Sequence, residues 1–244
     1  MPAADPRRCR VLELGCCDGG NLLPMAEQLP DATFVGIDYS AKQIDMGLER
    51  MRAAGLKNVD LRPVSIVDVT PDYGTFDYIL CHGVFSWVPD FVRDRILDVC
   101  AKHLAPDGIA YISYNAYPGW HLRGIVRDMM RYHALRFPDP RRQTQEARLI
   151  LDFVANFTAG PHTEGYGTFL KSEAELLRKL PDHYLFHEHL EENCNPYYFK
   201  DFISLARGGP GLPERVAHCR DGADELRTRH RAGPRGDRHE PDRA

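Results

Sequence analysis

Apolar positions switch between two spacings along the chain, and the switches lay out its elements. Val11 to Leu14 form a short apolar run around Glu13, followed at once by the bend Gly15-Cys16-Cys17-Asp18-Gly19-Gly20 and a helical pattern from Asn21 to Gln28. A buried strand feeding a ligand-binding loop and then a helix has this form. A second strand is predicted at Phe34 to Ile37. A helix follows from Ser40 to Gly55, with Ile44, Met46, Leu48, Met51 and Ala54 as its apolar stripe and Gly55 as its stop. Val59 to Arg62 and the largely apolar Phe76 to Cys81 are strands three and four, the latter suited to burial on both faces of a parallel sheet. Residues 90–104 read as a helix, Ala105-Pro-Asp-Gly108 as a turn, and Ile109 to Tyr114 as strand five. The alternation predicts an α/β fold with a mainly parallel sheet.

From Trp120 the pattern becomes helical throughout. Helices are expected over 122–137, 144–157 and 172–180, separated by Pro138-Asp-Pro140 and Gly160-Pro161, and Ser172-Glu-Ala-Glu175 has the form of a capping box. The chain therefore divides into a ligand-binding core over 1–120, an appended helical layer over 121–203 that suits a lid, and a tail over 204–244. The tail contains arginine but no lysine, no aromatic residue, and Gly and Pro throughout. Such text buries too little surface to offset chain entropy, so disorder is expected. It reads as the product of a frameshift in a GC-rich frame, with the sheet's sixth and seventh strands lost.

Length and charge narrow the partners. At 244 residues with 43% hydrophobic content the chain fits one α/β domain with additions, and its formal net charge of -4 offers no broad basic field to nucleic acid. Seven cysteines, without C-x-x-C or Cys/His ligand spacing, point to reduced thiols, a cytoplasmic setting and no metal. The polar start Met-Pro-Ala-Ala-Asp-Pro-Arg-Arg predicts neither a signal peptide nor a membrane span.

The bend after strand one lacks what a phosphate needs. In a G-x-G-x-x-G frame its places are Gly15, Cys17 and Gly20, so the glycine that admits a pyrophosphate is replaced, and no Gly-Lys-Ser/Thr closes the turn. A nicotinamide-dependent oxidoreductase is disfavoured on that ground. Gly15 lets the chain leave the strand sharply, and Gly19 leaves backbone open to close approach. Glu13, just before the bend, suits a cationic ligand. Asp38, 23 residues past Gly15 at the end of strand two, is placed to accept hydrogen bonds from ribose hydroxyls; the competing reading is a cap for the helix at Ser40.

The run Val-Leu-Glu13-Leu-Gly15-Cys-Cys-Asp-Gly-Gly-Asn21 resembles the first motif of class I S-adenosylmethionine-dependent methyltransferases. The resemblance implies a Rossmann-like core, S-adenosyl-L-methionine as cofactor, and a cofactor set of Glu13, Gly15, Cys17, Gly19, Asn21, Asp38, Tyr39, Ser65, Ile66 and His82. Within it, Ser65 and Ile66 would read the adenine edge, with Asp68 as a substitute. Family members usually carry helices before the first strand, where this chain has about nine residues.

The segments Cys81-His-Gly-Val-Phe-Ser-Trp-Val-Pro89, Tyr114-Asn-Ala-Tyr-Pro-Gly-Trp120 and His187 to Phe202 resemble a narrower bacterial group that carries a methyltransferase regulatory domain. That group includes enzymes acting on lysines of outer-membrane proteins. It implies a protein substrate. The place of these loops beyond the ends of strands four and five makes His82, Tyr114, Asn115 and Trp120 the candidate acceptor pocket, with Ser86, Trp87, Tyr117 and His121 nearby and His82 or His121 as proton acceptor. A non-catalytic cofactor-binding remnant is the alternative of a different class.

Overall fold

The computed structural model describes residues 3–158 and 164–208. Five strands, β1 (Arg10–Leu14), β2 (Thr33–Ile37), β3 (Val59–Arg62), β4 (Phe76–Cys81) and β5 (Leu104–Ile112), form one parallel sheet in the order β3-β2-β1-β4-β5. Four of the five residues of β1 are buried, as a central strand covered on both faces requires. One face packs on α1 (Leu22–Gln28) and α2 (Ala41–Ala53), through Leu22, Ala26, Phe34 and Ile44. The other packs on α3 (Asp90–His103) through Leu14, Ile79, Ile96 and Cys100. Each fully buried Leu, Ile or Phe here contributes about 1.5–3 kcal/mol.

Local chemistry sets the ends of α2. The Ser40 hydroxyl accepts the Gln43 N–H, and Gly55, at φ +69°, closes the far end while Leu56 N–H donates to Met51 C=O at 3.1 Å. Gly47 lets this helix lie on the bend after β1, because a Cβ there would stand 2.8 Å from the Asp18 carbonyl oxygen.

The helical layer comprises α4 (Trp120–Ala134), α5 (Pro140–Phe157), α6 (Glu164–Lys179), α7 (Asp182–Leu185) and a π-turn, Phe186–Leu190. It has a core of its own, built from Val126, Met130, Ala147, Leu151, Leu170 and Leu177. The chain then returns to the sheet as α8 (Phe199–Gly208), whose Phe202 and Ala206 join the sheet's core.

Three sequence expectations are corrected. Ala105–Gly108 is not a turn ahead of the strand but lies within β5, as an irregularity: Phe76 pairs with Leu104 and Tyr78 with Ile109, so five steps along β5 oppose two along β4. Ser172 caps nothing; it sits inside α6 and its hydroxyl donates to Phe169 C=O at 2.9 Å. Residues 204–208, expected as tail, are the last turns of α8, held by the burial of Ala206. The rest of the expected tail, the inferred frameshift with it, and the Gly160-Pro161 break lie outside the described residues. No described helix is long and apolar enough to cross a membrane.

Candidate functional site

From β1 the chain winds outward to β2 and β3, then returns to place β4 on the other side of β1. Open α/β sheets bind ligands in the crevice beyond such a reversal. The bend after β1 meets the loop after β4 at this point. An ideal Cβ on Gly15, whose φ is +75°, would lie 2.5 Å from Val84 Cγ2. Gly15 and Cys16 N–H groups both donate to Ile37 C=O, tying the bend to the end of β2.

Two carboxylates flank the bend. Glu13 is only 3% exposed; its Oε1 accepts the Asn21 amide at 2.8 Å, while its buried Oε2 has no hydrogen-bond partner. Burial raises its pKa above the ordinary value, and the Asn21 bond opposes part of that rise. Asp38 Oδ2 accepts Cys17 N–H at 2.9 Å and Oδ1 accepts Ser40 N–H at 2.8 Å. Asp38 therefore joins the bend to the start of α2, whose cap is Ser40. An ionised carboxylate has about four acceptor positions, so both oxygens keep capacity for further donors.

Cys17 holds a left-handed backbone, φ 53°, on which the Asp38 bond is anchored. Cys16 and Cys17 are free thiols. Burial, with Glu13 and Asp38 nearby, pushes the Cys16 thiol up to about 12, which keeps it protonated and unreactive. Among the described residues no group of His, Cys, Asp and Glu is arranged to hold a metal.

The remaining predicted residues fall around this crevice and beside it. Tyr39 is exposed, and Ser65 precedes a 3-10 turn, Ile66–Asp68, with its carbonyl accepting Asp68 N–H at 2.9 Å. His82 is exposed at the end of β4, its Nδ1 3.4 Å from the Tyr111 hydroxyl. Tyr114 stacks on Phe202 at 4.2 Å and so packs between the sheet and α8. Tyr117 stacks on His121, whose Nε2 lies 3.0 Å from the Tyr198 hydroxyl. Trp87 meets Trp120 edge-on at 6.0 Å. The predicted set thus separates into two linked groups at the bend, Glu13 with Asn21 and Asp38 with Cys17, and several aromatic groups along the loops after β4 and β5.

Backbone bonds stitch these loops to the returning chain. The Asn115 N–H donates to the buried Ser86 hydroxyl and Asn195 N–H to Ser86 C=O, both at 2.8 Å. Tyr197 N–H donates to Asn115 C=O, and Tyr117 N–H to Tyr197 C=O, both at 2.9 Å.

Sequence reasoning missed the polar residues behind this seam. Arg127 and Arg131 donate to the carbonyls of Leu190 and Glu191 at the end of the π-turn, where the helix dipole favours cations. His189, 2% exposed, has neither ring nitrogen hydrogen-bonded, and burial beside Arg123 and Arg127 lowers its pKa to about 4. Of these only His189 lies in the run from His187 to Phe202, where spacing gives it no partner, while Arg127 and Arg131 fall in the helix predicted over 122–137 with no signal of their own. A buried neutral histidine stabilises the fold above its unfolded pKa, near 6.5, and this contribution is lost as pH falls through about 4. Melting temperature is expected to drop between these values by the equivalent of about 3 kcal/mol, following 1.36 kcal/mol per unit. His189→Leu should flatten that drop in thermal melts across pH; an unchanged slope would place the acid sensitivity elsewhere.

Comparison with known proteins gives this geometry a family. Residues 12–110 match the family described as a methyltransferase domain. The chain is 42% identical over 201 residues to the uncharacterized protein RP028 of Rickettsia prowazekii, covering 82% of this chain and 80% of that one. It is 48% identical over 205 residues to the uncharacterized protein RP789 of the same organism, covering 84% of this chain but 37% of RP789. PKMT2 from Rickettsia typhi, solved in complex with AdoHcy, is 41% identical with a TM-score of 0.74, over 85% of this chain and 40% of PKMT2. The chain thus spans well under half the length of RP789 and PKMT2. With a parallel sheet, a glycine bend at its reversal point and these relatives, the chain belongs to the class I S-adenosylmethionine-dependent methyltransferases.

Proposed function

We propose that this chain binds S-adenosylmethionine in the crevice between the bend after β1 and the loop after β4, and transfers its methyl group to a lysine of a protein. The buried Glu13 Oε2, left without a partner next to the glycine bend, carries the reading: it is an acceptor suited to a cationic or N–H donor. Asp38 would take the ribose hydroxyls, Gly15 and Gly19 would admit the ligand to the backbone, and Ser65 and Ile66 would face the adenine. The division proposed with it is a methyltransferase core to residue 120, followed by the helical layer.

The cofactor supplies an activated methyl on a sulfonium. The protein's task is to hold the acceptor nitrogen in line with that methyl and exclude water. A lysine ammonium has to lose a proton first, which an aromatic, poorly hydrated surface promotes by lowering its pKa. His82 and His121 are the candidate proton acceptors. Lysine as acceptor rests on the resemblance to the bacterial group that includes enzymes acting on lysines of outer-membrane proteins, and the aromatic loops support it.

Glu13 gives the test. In the free protein its raised pKa means that ionisation costs stability, a cost absent below the ordinary value of 4.5 and incurred as pH rises through the raised one. A bound ammonium offsets that cost, so affinity rises with pH through the same window. Calorimetric titration with S-adenosylhomocysteine is expected to show weakening as pH falls towards 4.5 in the parent chain. Glu13→Gln should bind about tenfold more weakly with no such slope. Identical pH profiles in the two proteins would remove Glu13 from the cofactor site.

A further inference from the structure

The loop after β4, the start of α4 and the π-turn bring three rings and a carboxylate together, and the same loop after β4 meets the bend after β1 through Val84 and Gly15. Trp87 packs against His187 with centroids 4.6 Å apart and against Trp120 at 6.0 Å. Behind Trp120 lies Arg123, its guanidinium 5.6 Å from the ring centroid and 3.8 Å from Glu188 Oε2. Glu188 has a side chain only 16% exposed, yet this contact is beyond hydrogen-bonding length. Arg123 is itself 43% exposed. A long, half-solvated side chain in so loose a pair is readily displaced.

We propose that Trp87, Trp120, His187 and Glu188 form the subsite for the acceptor's aminoalkyl chain, with Arg123 holding the place of the incoming cation. The inference rests on lysine as acceptor. Aromatic faces receive the methylenes and attract an ammonium, and a partly buried carboxylate beyond them fixes its end. Arg123 already shows the pattern: an alkyl cation beside Trp120 and aimed at Glu188. Displacing it costs little, because the existing pair is long. The replacement brings a primary amine to the same faces, from which a neighbouring base removes the proton before methylation.

The chain has two tryptophans, and both are in this subsite. Intrinsic fluorescence therefore reports occupancy directly. The full chain is titrated with Nα-acetyl-lysine methylamide and with the norleucine counterpart, which keeps the alkyl chain and lacks the cation. A saturable change with the lysine compound only is expected. Glu188→Gln should weaken it about tenfold, and Arg123→Ala should strengthen it by removing the competing cation. A merely structural role for Arg123 gives the opposite sign, so the pair of variants keeps the test decisive should one fold poorly. Equal responses to both compounds, no response, or weaker binding in Arg123→Ala would overturn the subsite. Calorimetry with S-adenosylhomocysteine on the same samples separates the two readings: uptake of that ligand without an amine response rejects the subsite alone, and an amine response without uptake rejects the cofactor reading alone.

Discussion

Asp38→Ala is expected to reduce affinity for S-adenosylhomocysteine at least about a hundredfold in calorimetric titration, with the fold retained. Two hydrogen bonds from a ligand's ribose to an ionised carboxylate are each worth about 1.5–3 kcal/mol, and about 1.4 kcal/mol is tenfold in binding. The same substitution leaves Cys17 and Ser40 N–H groups without their carboxylate acceptor and releases the left-handed backbone of Cys17. The loss in binding therefore comes from missing contacts and from a bend no longer held in shape. Asp38→Asn separates them: one amide oxygen still accepts a backbone N–H, so the bend is partly kept while the charge is gone. Its affinity should fall between the other two. Parent-like affinity in Asp38→Ala would break the account of the crevice.

Gly15→Ala is expected to lower stability by about 2–4 kcal/mol and binding of S-adenosylhomocysteine by more than tenfold. An L-residue at φ +75° costs about 1–2 kcal/mol. The rest arises because the new methyl would stand 2.5 Å from Val84 Cγ2, and a β-branched side chain has few rotamers with which to escape. The loop after β4 must then move, and with it one wall of the crevice. Adding Val84→Ala should recover the collision and leave the backbone penalty, so a double-mutant cycle by denaturant unfolding divides the two. Full recovery in the double variant would mean that the positive φ carries no cost here; no loss in the single one would mean that the contact is absent in solution.

The strands and the bend were legible because each rests on local chemistry. A covered parallel strand needs an apolar run, and β4 begins and ends where its run does; β3, the edge strand, keeps its expected bounds through the alternation Val-Asp-Leu-Arg. Glu13, Gly15 and Asp38 were legible because their spacing follows from one βαβ unit. What escaped depends on partners distant in sequence. Nothing near Ala105–Gly108 announces that β5 pairs through Leu104 before it reaches Ile109. Ser172 satisfies the pattern of a cap, yet α6 already runs through it from Glu164. At Pro138-Asp-Pro140 the signal was present and was read as a break alone: Asp139 caps α5 by accepting Arg142 N–H at 2.8 Å, with Pro140 as first helical residue. Trp120 was singled out from its loop, whereas Glu188 and His189 acquire partners or burial only once α4 and the π-turn lie side by side.

The seam through Ser86, Asn115 and Tyr197 bears on how the helical layer can move. Four N–H donations cross-link Ser86, Asn115, Tyr117, Asn195 and Tyr197, which lie just ahead of α4, just past the π-turn and in the loop after β4, so both ends of the layer are clamped at one place. Any swing of the layer as one body then hinges on the short connections inside that clamp, 118–119 and 191–194, and leaves the seam itself closed.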